Sequence, residues 1–379
     1  MTLTRYEPLV ELIHDRSRLG ELAPEWDELV VSSSTPTVFL SWSWVSAWFD
    51  TLGSDHRIMV ATAREPATGR LVGLAPLAVE TRRAGPLPPH RALVMVGSRP
   101  AAADHLDLVA RTGHEHVISV LWSVVYAVRD WDVVDLDGLR PGANVADAVL
   151  SDGQGGGVSV RLSPCPFLVL PATWEEYESG LGRNLRQNLR RYRRRMDKEL
   201  AGTVVERQVA GADEAETTLL QLAELHRRAR RKGRKSAAFA DEGMVEFHRR
   251  VVRSLADEGL LRMHRLDVAD RPAAIIYCIR DGAIVSFYQT GYDLDLARYG
   301  PGRHIMAWAI RSAIEEGATG FDFLRGDEQY KAGWGARARA DRRLVCGTSV
   351  RGRAVALAMR TAWRVRAAGN HWSRWRSTR

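Results

Sequence analysis

AIVSFYQTGYDLDLARYGPGRHIMAWAIRSAIEEGATGFDFLRGDEQYKAGWG, residues 283–335, is the stretch that decides the fold. Ala283 to Tyr292 is rich in β-branched and aromatic residues, with Gly282 before it and Gly291 near its end, and predicts a strand. Asp293 to Gly302 (DLDLARYGPG) predicts a loop closed by Gly-Pro-Gly. Beyond it, Ile305, Trp308, Ala309 and Ser312 fall at helical spacing, and Gly317 is placed to end that helix. Thr319 to Leu324 predicts a second strand. It empties into RGDEQYKAGWG, which gathers Asp327, Glu328, Tyr330, Lys331 and Trp334 within eleven residues.

Strand, glycine loop, helix and strand make a βαβ unit whose helix N-terminus faces the loop. Three or four unpaired N–H groups and the positive end of the helix dipole are expected there, a setting that suits a phosphate-bearing ligand. Residues just past the second strand lie where open α/β sheets place their chemistry. This layout resembles the acyl-CoA-binding half of the GNAT acyltransferase superfamily. The run FDFLRGDEQYKAGWG, residues 321–335, is similar to the CelD-like acetyltransferase branch of cellulose and exopolysaccharide biosynthesis, a relative of the Fem peptidyltransferases. The resemblance implies acetyl-CoA or another acyl-CoA as co-substrate and no metal. It places donor contacts at Arg298, Gly300, Gly302, Arg303 and His304, and acceptor contacts at Tyr288, Gln289, Asp322 and Trp334. The superfamily signature is Gln/Arg-x-x-Gly-x-Gly/Ala; here the frame ending Gly300-x-Gly302 begins at Ala297, with Arg298 one place late.

Acyl transfer from a thioester needs a base for the acceptor and an acid for the departing thiolate. Asp327 or Glu328 is the expected base and Tyr330 the acid. Lys331, one of four lysines beside 50 arginines, is a compact ammonium suited to a phosphate or carboxylate of the acceptor. The plain alternative is a surface turn with solvated charges. Asp322, inside a predicted strand, needs a partner and serves either structure or catalysis. No Gly-x-Ser-x-Gly elbow, Walker loop or local Cys/His pair competes.

Composition bounds the rest. The 379 residues are 45% hydrophobic and 26% charged, as in globular proteins, with room for two domains. No apolar run approaches the roughly 20 residues that span a bilayer. The N-terminal MTLTRYEPLVELIHDR lacks the apolar core of a signal peptide. Three separated cysteines, Cys165, Cys278 and Cys346, imply neither a metal site nor a disulfide framework and fit a reducing cytoplasm. His114 and His116 sit at i, i+2 and do not share a helical face.

A weaker repeat is visible. Hairpin, loop, helix, then an aromatic-Asp strand ending in Asp-Gly or Gly-Asp describes both residues 57–138 and residues 260–326. The expected fold is therefore α/β (α+β): tandem GNAT-like units with mixed sheets flanked by helices. Residues 1–155 form a scaffold or acceptor-wall unit, 156–350 the acyltransferase unit, and 351–379 a basic Arg/Trp tail. Leu181, Leu185, Leu189, Tyr192, Met196 and Leu200 draw an apolar stripe along residues 181–200, with seven arginines from Arg183 to Arg195 covering the remainder. That helix reads as a packed helix with a solvated face, as a phosphate binder, or as a peripheral contact to the inner membrane face, as does the tail.

The expected function is acyl-CoA-dependent N- or O-acylation of a sugar, lipid or envelope precursor. The alternatives are a non-catalytic accessory protein of polysaccharide assembly and Fem-like aminoacyl-tRNA-dependent transfer. Nucleic acid is otherwise not an expected partner.

Overall fold

The computed structural model describes residues 7–83, 89–151, 157–233, 239, 241–326 and 328–376; for Ser151 and residues 366–376 it describes the backbone alone. The chain divides into two compact units, one of residues 1–45, 53–163 and 341–379, the other of residues 46–52 and 164–340.

In chain order the first unit contributes β1 (Leu9–Ile13), α1 (Arg16–Gly20), α2 (Ala23–Val31) and α3 (Trp42–Asp50), whose end passes to the second unit. It continues with β2 (Arg57–Arg64), β3 (Leu71–Arg82), β4 (His90–Met95), β5 (Val109–Ala110), α4 (Val117–Ala127), β6 (Val133–Leu139), α5 (Asn144–Ser151) and β7 (Ser159–Pro164). The second unit holds β8 (Phe167–Val169), α6 (Trp174–Gly180), α7 (Arg183–Glu199), β9 (Val204–Gln208), α8 (Ala212–Arg231) and α9 (Glu242–Asp257). There follow β10 (Leu261–Val268), β11 (Arg271–Asp281), β12 (Ile284–Tyr292), α10 (Pro301–Glu315), β13 (Gly320–Asp322) and α11 (Gln329–Gly333). The chain then returns to the first unit with β14 (Ala340–Gly347) and α12 (Val350–Arg376).

The first sheet runs β1-β2-β3-β4-β6-β14-β7, with β5 on β3; the second runs β8-β13-β12-β11-β10-β9. Each has a parallel pair beside antiparallel ones, β4 with β6 and β12 with β13, and in each a helix lies between the two strands in sequence. A parallel pair needs such a crossover, which an antiparallel hairpin does not. The fold is thus the expected mixed α/β one, with two mixed sheets flanked by helices. Two strands depart from the sequence boundaries at 155 and 350. Both β7 and β14 join the first sheet, β14 antiparallel to β6 with Leu344 opposite Leu136. Which sheet an edge strand joins depends on an open partner far away in sequence, which its own alternation does not name. The basic tail starts as a packed helix, with Val355 and Ala356 against Val133 and Val345.

The cores follow from the apolar faces. Trp26, Trp44, Trp48 and Trp122 are almost wholly buried, and the Trp26 indole N–H donates to Leu40 O at 2.7 Å, so its one polar group is satisfied. The second core packs Ile276, Cys278, Ile305, Ala309, Ile310, Ala313 and Phe321 between sheet and α10. On α7, Met196 is buried, Leu185, Leu189 and Tyr192 are half-buried, and Arg190, Arg191, Arg194 and Arg195 are exposed.

The parallel pairs end differently. In the first unit β4 and β6 pair from Ala92↔Val133 to Val94↔Asp135. Beyond that point Leu106 bridges Leu139, its N–H donating to Gly138 O at 2.7 Å and its carbonyl accepting from Arg140 N–H at 3.1 Å. The chain's own backbone occupies that opening. In the second unit β12 and β13 pair only from Ile284↔Gly320 to Ser286↔Asp322. There β13 ends, while β12 runs on to Tyr292, still paired along its other edge with β11.

Candidate active site

The opening beyond Ser286 and Asp322 is flanked by two cavities. One, of about 450 Å³, is lined by Leu185 and Asn188 of α7, the Gly300–Arg303 turn, Met306 and Trp334. The other, of about 390 Å³, is lined by Phe287 to Tyr292 of β12, by Leu225, His226 and Ala229 of α8, and by Phe323, Leu324, Arg325, Glu328 and Lys331. Thr290, Tyr292 and Tyr330 line both, so the two cavities meet at these three side chains. The strand that divides them is irregular. Tyr277 faces Gln289 but Cys278 faces Phe287, which leaves Tyr288 as the extra residue of a bulge. Bulges re-aim side chains, and Tyr288 here turns to the second cavity with its ring 4.8 Å from His248 and 5.2 Å from Tyr277.

The turn into α10 is built on glycine. Gly300 has φ of 65°, and a Cβ there would stand 2.5 Å from the Tyr192 ring; a Cβ on Gly302 would stand 2.9 Å from Tyr292. Only glycine lets helix, turn and strand approach this closely. The anion-binding expectation is corrected here. Pro301 has no N–H, and the N–H groups of Arg303 and His304 both donate to Gly300 O at 3.0 Å. Gly302 is the position of the first turn whose N–H none of these bonds uses, so one donor replaces the expected three or four. Positive charge comes instead from side chains, with the Arg303 and Arg191 guanidiniums 5.7 and 5.1 Å from the Tyr192 ring centre.

The expected site residues separate. Tyr288, Gln289, Glu328, Tyr330 and Lys331 line the second cavity; Gly300, Gly302, Arg303 and Trp334 line the first. Asp327 lies outside the described residues. Three others look elsewhere. His304 turns to the opposite side of α10 and pairs with Glu206 at 2.6 Å. Arg298 stacks on Tyr299 at 4.6 Å and faces Glu199 at 3.5 Å, and it lines neither cavity. Asp322 is buried, ion-paired with Arg339 and accepting from Leu324 N–H at 2.8 Å, so it anchors the strand end instead of meeting an acceptor. A carboxylate inside a strand had to find such partners, and Arg339 supplies the charge.

Lys331 also differs from its expected role. Its side chain is only 3% exposed, and its ammonium reaches Glu328 at 2.8 Å and the carbonyls of Arg325, Leu324 and Gly326 at 3.1, 3.4 and 3.5 Å. An ammonium has three protons, and these four acceptors take them all. Lys331 therefore holds the backbone of residues 324–326 and sets the Glu328 carboxylate.

Tyr330 is 45% exposed as a residue, yet crowding around its phenol and the nearby Glu328 carboxylate both raise its pKa. It is a hydrogen-bond donor at neutral pH. His226, which the sequence offers only as a lone histidine on a helix, is buried beside Thr290; burial, helped by Arg230, pushes it down to about 4, so it stands neutral. Thr290 and Tyr292 were also missed. They stand opposite Ile276 and Ala274 of the core beneath α10, whereas the bulge sends Tyr288 to the other face against His248, so alternation along the sequence does not find them.

Residues 183–332 match the sequence model of the acetyltransferase (GNAT) domain. The second unit, which contains them all, has a GNAT-type acyltransferase fold. Among solved structures the chain is similar to FemX, with 11% identity, 88% of this chain and 96% of that one covered, and a TM-score of 0.60. It is also similar to the C-terminal domain of a putative lysylphosphatidylglycerol synthetase from Agrobacterium fabrum, with 9% identity, 89% and 95% covered, and a TM-score of 0.52. L-PGS from Bacillus licheniformis follows with 11% identity, 92% and 96% covered, and a TM-score of 0.51. No curated protein matches the chain.

Proposed function

We propose that the second unit transfers an acyl group from acyl-CoA to an amine or hydroxyl of a sugar, lipid or cell-envelope precursor. The observation that carries this is the meeting of two ligand-sized cavities at Tyr330, across the end of the β12–β13 pairing. One cavity, with the Gly300–Arg303 turn at its edge, is the donor side. The other, with Glu328, His226 and Tyr288, is the acceptor side.

Glu328, held by Lys331, takes the proton of the attacking group. Tyr330, protonated and shared by both cavities, gives one to the departing thiolate. Thr290 and Tyr292 wall the passage between them. The CelD-like resemblance of residues 321–335 supports an exopolysaccharide or envelope acceptor, and the blocked opening of the first unit supports a scaffold role for it. Helix α7 and the α12 tail supply exposed arginines for a peripheral contact with an anionic membrane face. No described helix is long and apolar enough to cross a membrane.

Replacing Glu328 by Gln keeps size and hydrogen bonding but removes the base. Turnover is expected to fall on the order of 100-fold with acyl-CoA affinity kept. Unchanged turnover would remove Glu328 from the chemistry.

A second reading, aminoacyl-tRNA as donor, is favoured by one observation. The α10 turn has a single N–H donor to offer, whereas the adjacent α7 carries seven arginines, a balance that suits an extended phosphate backbone. Protection of the aminoacyl ester by the protein, lost steeply with salt, would favour RNA over acyl-CoA.

A further inference from the structure

Helices α7 and α10 enclose another recess, one on which acyl transfer makes no demand. His304, Trp308 and Arg311 come from one face of α10, at steps of four and three, and Arg190, Arg193 and Arg194 come from α7. Trp174 of α6 and Glu206 of β9 help close a volume of about 310 Å³. None of its lining residues lines either cavity of the transfer site. The size is at the lower end for a small-molecule site.

Its charges are arranged for an anion. Glu206, the acid contributed by β9, is matched by His304 at 2.6 Å, a hydrogen bond that keeps its carboxyl below the usual range. The remaining lining acid, Glu178, is 3.7 Å from Arg190, and Arg193 is 3.8 Å from Asp197. Pairs elsewhere in the unit are much closer, such as Arg262–Glu316 at 2.6 Å. Arg194 enters no ion pair among the described residues. Three guanidiniums thus stand at the rim with loose or no carboxylate partners, while Arg311 is engaged by Glu315 at 2.7 Å.

The walls are aromatic. Trp174 and Trp308 are both half-buried against the core, and Trp308 is steadied by the His264 ring at 4.6 Å. Two half-buried indoles beside three guanidiniums that are loosely paired or outside any described ion pair suit a flat ring carrying phosphate. A lipid headgroup offers the phosphate without the ring.

We infer that this recess is a separate binding site for a nucleotide, its base against Trp308 and Trp174 and its phosphates on Arg190, Arg193 and Arg194. The nucleotide is either free or the end of a larger molecule. Three probes distinguish the sources: ADP, adenosine 3′,5′-bisphosphate, which is the nucleotide end of CoA, and UDP-glucose, a sugar nucleotide.

The test is calorimetric titration of the full chain at low salt with each probe, and with glucose 1-phosphate as the ringless comparison. In the Arg193→Glu/Arg194→Glu double variant and in Trp308→Leu, affinity for the preferred nucleotide is expected to drop by roughly tenfold or more. Gly302→Val, which crowds Tyr292 at the transfer site, should leave it unchanged. A melting curve checks each variant, and the exposed arginine pair decides the matter where Trp308→Leu unfolds. No saturable nucleotide binding, affinity equal in the arginine variant, loss in Gly302→Val, or glucose 1-phosphate binding as tightly as nucleotide would each overturn the proposal.

Discussion

Tyr330 and Lys331 are adjacent in sequence, yet they do opposite work. Tyr330 is the half-exposed side chain at which the cavities meet, and its raised pKa keeps the proton a thiolate would take. Tyr330→Phe is expected to lower turnover by less than Glu328→Gln, since water also protonates a thiolate; an equal or larger loss in single-turnover kinetics would make the phenol the principal acid. Lys331 is buried under three carbonyls. Lys331→Met leaves those carbonyls short of donors, which should lower stability by about 1–3 kcal/mol in denaturant unfolding. A neutral result would mean that the turn holds itself.

At the scale of elements, the turn between β12 and α10 depends on contacts that its own sequence does not reveal. Gly300 needs glycine for its left-handed backbone and for the Tyr192 ring above it. Gly300→Ala should therefore cost about 1 kcal/mol or more by chemical denaturation and weaken donor binding; wild-type behaviour in both would show that Tyr192 yields easily. The strand–helix–strand order from residue 283 to residue 324 was legible because period and punctuation agree there. The hairpin of residues 57–80 was legible for the same reason. The single N–H at the α10 start was not foreseen, because counting orphan donors at a helix start overlooks a proline in the first turn. Strands β8 and β9, of three and five residues, are too short to show a period. Arg339, seventeen residues beyond Asp322, fixes a carboxylate that local reading left between structure and catalysis. The resemblance puts Tyr288 among the acceptor contacts, but the bulge that aims it follows from pairing with β11, which local sequence does not reveal.

At the scale of the whole molecule, the repeat seen in sequence corresponds to two sheets with the same embedded parallel pair and different openings. Leu106 closes the first; the second is flanked by two cavities. Three buried histidines of the second unit make folding sensitive to acid. Burial lowers His226 and His264 to about 4 and His248 to about 3. Each is neutral when folded and gains a proton near pH 6.5 when unfolded. Their contribution is therefore complete above about pH 6.5 and is lost as pH falls toward 4 and 3, on the order of 3 kcal/mol for His226 and His264 and about 5 kcal/mol for His248. The melting temperature should be nearly level from pH 8 to 6.5 and fall steadily below it. His264→Phe should flatten that decline, and a decline unchanged in slope would contradict the assignment to these rings.

Acyl transfer by the second unit requires that the opening at the end of the β12–β13 pairing receive an acyl-CoA. Titrating the protein calorimetrically with acetyl-CoA and longer acyl-CoAs, beside the Gly302→Val variant, tests it most directly. Saturable binding is expected for the wild type, weakened on the order of tenfold or more when a valine crowds Tyr292 at the cavity beside the Gly300–Arg303 turn. No heat from any acyl-CoA, or binding that Gly302→Val leaves untouched, would contradict it.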